Sequence, residues 1–248
     1  MNKYRKVVVL AFVSCFFLTA APVSAQQELT LGIPVAGSLS GTGDEQFYEI
    51  DTTIGQHLIV ILDGEDNYDY YELYIKFGSL PTTIDYDDKG DSARSDQAVE
   101  IPSTQAGTYY VMVRSTSSGG NYTIVAHDDG TFPTLTLGTT RAGNLQDTYD
   151  IKYHRVSITA GEHLLVVLDG EDDFDHYDLY IKFGSLPTTI DYDDKGDAPN
   201  ADQEVEMPST QAGNYYVMVR STSGGGNYTI RAHAIRCRIF LPLALRNQ

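Results

Sequence analysis

Apolar residues in this chain come in short clusters separated by breaks rich in Gly, Pro and Asp. The run HLIVIL at 57–62 is continuous and stops at Asp63-Gly64, the pattern of a sandwich-core strand. YELYIKFG at 71–78 alternates instead: Tyr71, Leu73, Ile75 and Phe77 share one side, and Glu72, Tyr74 and Lys76 the other. FYEI at 47–50, AVEI at 98–101, YYVMVR at 109–114 and NYTIVAH at 121–127 complete the set. No window carries a helical period of useful length. Short strands with turn signals roughly every 8 to 12 residues suggest an all-β, antiparallel sandwich or barrel, and a jelly-roll-like β-sandwich is the expected fold.

The pattern is written twice. A shift of 106 positions lays Leu29–His127 on Leu135–His233 without a gap, and YIKFGSLPTTIDYDDKGD stands unchanged at 74–91 and 180–197. The chain thus divides into residues 1–25, a first sandwich at 26–127, a linker at 128–134, a second sandwich at 135–233 and a tail at 234–248. Each unit, at about a hundred residues, is large enough for its own core. The repeated segment reads as a strand, a turn at Gly78-Ser79-Leu80-Pro81, a second extended piece from Thr82 to Tyr86, and an acidic loop from Asp85 to Asp91. Divergence is uneven: 29–61 matches its partner at 14 of 33 positions.

Residues 1–25 read as an export signal: Lys3, Arg5 and Lys6, then an apolar run from Val7 to Leu18, then Val23-Ser24-Ala25. A lipoprotein cut before Cys15 competes less well, because apolar Phe16-Phe17-Leu18 would follow the cysteine. Losing three cations moves the formal charge from -17 to -20, which argues against nucleic acid or an anionic membrane surface as partner. No later run is long enough to span a bilayer. Cys237 is the one thiol left after the signal, so no internal disulfide is expected. No GxSxG or HExxH occurs, the histidines are scattered, and a non-enzymatic protein is expected.

The windows 63–100 and 169–206 hold 24 of the 34 carboxylates. Hard oxygen donors without Cys or His suit Ca²⁺. The candidate loop consists of Asp85, Asp87, Asp88, Asp91 and Asp96, repeated as Asp191, Asp193, Asp194, Asp197 and Asp202. Its spacing approaches that of an EF-hand loop, but Lys89 or Lys195 stands where a ligand belongs and no helices flank it. Asp63, Glu65, Asp66 and Asp69 form an alternative cluster, and a solvated acidic rim is the competing explanation. One tyrosine of each pair Tyr109-Tyr110 and Tyr215-Tyr216 belongs to the core. The other, Tyr110 with Arg114 or Tyr216 with Arg220, could form an aromatic surface for an extracellular polymer or protein. Asn121-Tyr122-Thr123 and Asn227-Tyr228-Thr229 match a glycosylation pattern but read more simply as strand starts.

LYIKFGS with Pro81-Thr82, Tyr86-Asp87, AGTYYVMVR at 106–114 and Gly120-Asn121-Tyr122 recur as Leu179–Ser185, Pro187-Thr188, Tyr192-Asp193, AGNYYVMVR at 212–220 and Gly226-Asn227-Tyr228. This set resembles the bacterial pre-peptidase C-terminal domain, a β-sandwich related to the collagen-binding domains of bacterial collagenases. The resemblance implies non-catalytic modules that accompany secreted peptidases, some holding calcium and binding insoluble substrate. It also implies a second metal location, at Ser38 and Asp44 and at Asn144 and Asp150, where only part of the family's ligand set is present. No peptidase domain precedes the modules here, which favours a free-standing secreted or surface-attached binding protein. The alternative is a spacer, or a processing or solubility accessory of a separate secreted peptidase. The basic, apolar tail suggests sorting or cell-surface attachment, or an added edge strand.

Overall fold

The computed structural model describes residues 26–235 apart from 66, 67, 91, 93, 172, 173 and 197. The expected signal, the tail with Cys237, and Asp66, Asp91 and Asp197 therefore lie outside the described residues.

The first unit contains β1 (Gln27–Glu28), β2 (Val35–Leu39), β3 (Glu45–Thr52), β4 (Leu58–Gly64), β5 (Tyr71–Phe77), β6 (Asp88–Lys89), β7 (Gln97–Ile101), β8 (Gly107–Ser115) and β9 (Gly120–His127). The second contains β10 (Thr140–Leu145), β11 (Ile151–Ile158), β12 (His163–Gly170), β13 (His176–Phe183), β14 (Asp194–Lys195), β15 (Gln203–Met207), β16 (Gly213–Ser223) and β17 (Gly226–Ile235). Each unit is a sandwich of two sheets. In the first, β1-β3-β8-β5-β6 faces β2-β9-β4-β7; in the second, β11-β16-β13-β14 faces β10-β17-β12-β15. Among the described residues all pairings are antiparallel except the short β1–β3 contact and its counterpart, the parallel bridge from Thr134 to Arg155.

Alternation places Leu58, Val60 and Leu62 of β4 and Leu73 and Ile75 of β5 in the first core, and Leu164, Val166 and Leu168 with Leu179 and Ile181 in the second. Tyr109 and Tyr215 are the core members of their pairs. Tyr122 and Tyr228 cross beneath β2 and β10 at Gly37 and Gly143. A Cβ added there would stand 2.4 and 2.2 Å from the ring, so these strands need glycine for contact rather than for flexibility.

Three details differ from the sequence reading. Thr82 to Asp85 is not extended: Thr82 N–H bonds the Asp85 carbonyl at 2.9 Å, and the Thr82 hydroxyl accepts from the amides of Ile84 and Asp85, closing a tight turn. The acidic loop itself contains β6, paired with β5. β2 and β10 carry no strand signal because VAGSL and TRAGNL are small and polar, yet both pair in full with the strand beside them.

Candidate functional site

The repeated acidic loop is a set of fasteners. Asp85 pairs with Lys76, Asp87 accepts from Phe77 N–H at 2.8 Å, and Asp88 accepts from Glu100 N–H at 2.7 Å. In the second unit, Asp191 pairs with Lys182, Asp193 accepts from Phe183 N–H at 2.7 Å, and Asp194 accepts from Glu206 N–H at 2.8 Å. Asp202 accepts from Gly170 N–H at 3.0 Å, as Asp96 does from Gly64. Each described carboxylate of the loop caps a backbone amide or meets a lysine, and no two of them share a partner. The alternative cluster is likewise dispersed, with Glu65 on Asn121 and Asp69 on Ser118.

The sites implied by resemblance behave in the same way. Asp44 accepts from Ser40 N–H at 2.9 Å and Asp150 from Gln146 N–H at 2.5 Å, closing the turns after β2 and β10. Ser38 lies opposite Asn121 in the β2–β9 register, and the Asn144 amide donates to Asn227.

Among the described residues three carboxylates do converge: Asp63, Asp96 and Asp150 offer oxygens within 4.8 Å of one another. The first two belong to the first unit and Asp150 to the second. Lys152 sits among them, donating to Asp63 at 2.6 Å and to Asp150 at 2.9 Å, while Asp96 accepts from Ile151 N–H at 2.9 Å. Burial, then Asp150 and Asp63 nearby, hold the Asp96 carboxyl well above the usual range; burial also raises Asp150. Burial opposes charge on Lys152, but the two carboxylates outweigh it and keep the ammonium charged. This donor set fits a lysine; a second cation would compete with the ammonium already there.

The trio is one end of the contact between units. In its middle, Ile59 and Phe132 pack on Leu186 and Tyr216, with Ile61, Ala98 and Tyr153 alongside. At the other end the Tyr216 hydroxyl lies 2.8 Å from His57 Nδ1, whose Nε2 is 2.6 Å from Glu100; the other Glu100 oxygen accepts from Leu186 N–H at 3.1 Å. Burial of His57 disfavours its charge, but Glu100 and Asp129 prevail and raise its pKa. Tyr216, expected on a binding surface, is therefore only 1% exposed and serves to join the units. Arg220 reaches Asp178 at 3.5 Å and lies over the Tyr149 ring.

Among the described residues, the corresponding face of the first unit is uncovered. Tyr110 is half-buried, and Arg114 meets Glu72 at 2.9 Å and Glu45 at 3.7 Å. Nearby, Tyr86 covers Tyr74 and Lys89 lies 5.0 Å from the Tyr74 ring centre, beside a trough of about 600 Å³ whose lining includes Tyr70, Glu72, Tyr86 and Lys89. Sequence reasoning named Asp63, Asp96 and Asp150 separately but not their meeting, nor Lys152. The available signal was asymmetry between the copies, with Ile151-Lys152 standing where the first unit has Glu45-Gln46.

The bacterial pre-peptidase C-terminal domain profile matches residues 44–115 and 150–221. A stretch of 100 residues is 30% identical to alkaline serine exoprotease A of Vibrio alginolyticus, covering 40% of this chain and 18% of that protein. A zinc metalloprotease of Helicobacter pylori is 28% identical over 103 residues, 42% of this chain and 40% of that protein. The chain thus spans less than half the length of these curated relatives. Among solved structures, the pre-peptidase C-terminal domain of a Bacillus anthracis collagenase aligns with 40% of this chain and 92% of its own, at 18% identity and a TM-score of 0.35. With both halves matched, the chain belongs to the bacterial pre-peptidase C-terminal domain family, of which it carries two copies in tandem.

Proposed function

We propose that this is a secreted, non-catalytic binding protein that recognises an extracellular polymer or protein through the outer face of β3-β8-β5. One observation carries the reading. In the second unit the equivalent face docks a β-surface through Tyr216 and Leu186, whereas in the first unit no described residue covers it, with Leu80 at 41% exposure where Leu186 is at 7%. A half-buried tyrosine beside paired charges is a surface that gives up little side-chain entropy on binding. Secretion is supported by the basic-then-apolar start of the sequence and by similarity to an exoprotease. The alternative, an accessory or spacer of a separate peptidase, is supported by the same peptidase relatives.

The test is co-sedimentation of residues 26–248 with insoluble collagen, chitin, cellulose and peptidoglycan. Tyr110→Ala with Arg114→Ala is expected to release a bound polymer, and Arg220→Ala to leave it bound. Binding to none of the four, or binding indifferent to the first pair, would favour the accessory reading. Calcium belongs to the same test. Because the loop carboxylates are engaged and Lys152 compensates the convergent trio, calcium and magnesium are expected to act alike on the unfolding midpoint. A calcium-specific rise abolished by Asp85→Asn with Asp191→Asn would instead establish the loop as a metal site.

A further inference from the structure

Beside the carboxylate trio, on the flank of the contact lined by β9 and β10, the units enclose a groove of about 370 Å³, within the size range of ligand sites. Ile61 and Val125 of the first unit and Pro133 and Tyr153 beyond it form apolar walls. A second hollow of about 680 Å³ shares Asp63 and Thr123 with it and extends the trough along the first unit.

Three features point to an occupant. β10 is an edge strand, with β17 on one side and no strand on the other among the described residues, so alternate N–H and C=O groups along Arg141–Asn144 face away from β17. Arg141 lines the groove, touches the Thr134 carbonyl at 3.4 Å, and pairs with no carboxylate among the described residues, in a chain of net charge -17. His154 also lines it; its Nε2 lies 3.1 Å from the Tyr228 hydroxyl, and its buried Nδ1 has no hydrogen-bond partner among the described residues. The first unit has Val35 and Tyr48 at these two places, and Tyr48 fills its site by bonding Tyr122 at 2.8 Å. Two otherwise similar copies thus differ where the groove acquires a cation without a carboxylate partner and a buried nitrogen without a hydrogen bond among the described residues.

We propose that this groove takes an extended peptide, added as a strand to the free edge of β10, with a carboxylate seated on Arg141. Strand addition provides main-chain hydrogen bonds, the apolar walls receive alternate side chains, and Arg141 provides selection. The overall negative charge limits the peptide to one or few carboxylates. The inference rests on the reading of this protein as a binding module but uses a different surface from the Tyr110 face.

The probes are fluorescein-labelled heptapeptides of alternating threonine and valine, read by anisotropy. One has a central aspartate and an amidated end, one a central asparagine and a free carboxyl end, and one a central asparagine and an amidated end. A fourth repeats the aspartate peptide with N-methylated alternate amides. Either carboxylate peptide should bind roughly tenfold or more tighter than the neutral one, and which of them does so identifies a side-chain or a terminal carboxylate. The N-methylated peptide should not bind, and Arg141→Val, which copies the first unit, should bring the carboxylate peptides down to the neutral level with the unfolding midpoint unchanged. Equal binding of charged and neutral peptides, indifference to Arg141→Val or to N-methylation, or no binding of any probe below about 1 mM would overturn the proposal. Polymer co-sedimentation run in parallel separates the two readings: polymer retained with peptide lost sinks the groove alone, and the reverse sinks the Tyr110 face alone.

Discussion

Lys152 shows how much one position can change in a duplicated chain. Its counterpart Gln46 has no such role, whereas Lys152 compensates Asp63 across the contact between units and Asp150 within its own. Lys152→Gln would leave two carboxylates facing each other with little water, a loss of about 2–4 kcal/mol for a partly buried pair. Denaturant unfolding should report it, and adding Asp63→Asn should recover part of the loss. His154 offers a pH test. Burial, and then Arg141, lower its pKa to about 3, so the folded protein keeps it neutral. Below its ordinary value near 6.5 the unfolded chain binds a proton that the folded one refuses, and stability falls as pH falls through that window toward 3. The contribution between pH 7 and pH 5 is about 2 kcal/mol by linkage. His154→Tyr, copying Tyr48, should lessen the acid decline of the unfolding midpoint relative to the native chain.

Among the elements, β4 shows why some of the fold was legible and some was not. HLIVIL announced a strand apolar on both faces, but its second face is buried because the other unit covers it: Ile59 is 1% exposed, while Leu165 at the same place in β12 is half-buried. β5 and β13 were readable from alternation alone, since a half-buried strand imposes period two on its own residues. β2 and β10 were not, because their glycines answer to a tyrosine ring from a distant strand. Gly143→Ala would place a methyl 2.2 Å from Tyr228 Cζ, and moving the ring would disturb its contact with His154. A loss of about 2 kcal/mol or more is expected, measured by thermal unfolding. The turn from Thr82 to Asp85 was misread as extended because threonine and isoleucine favour strands, while a hydroxyl bonding two amides decides otherwise.

In the whole molecule, the second unit's Tyr216 face is joined to the outer face of β4 and β7 in the first, by an apolar centre with ionisable groups at each end. Coupling of this kind should make the two units unfold together. Tyr216→Ala removes the central ring and its bond to His57, and calorimetry should then resolve two transitions where the native chain shows one; a single transition in both would mean that the contact contributes little. Strand content, the tandem plan and the family were fixed by the sequence itself, because period-two patterning, turn residues and a 106-residue repeat are local or countable features. The place where Asp63, Asp96, Asp150 and Lys152 meet, the burial of Tyr216 and the groove at Arg141 were decided only by tertiary structure. They depend on how one sandwich sits on another, and two nearly equivalent faces acquire different neighbours although their local patterns are almost the same.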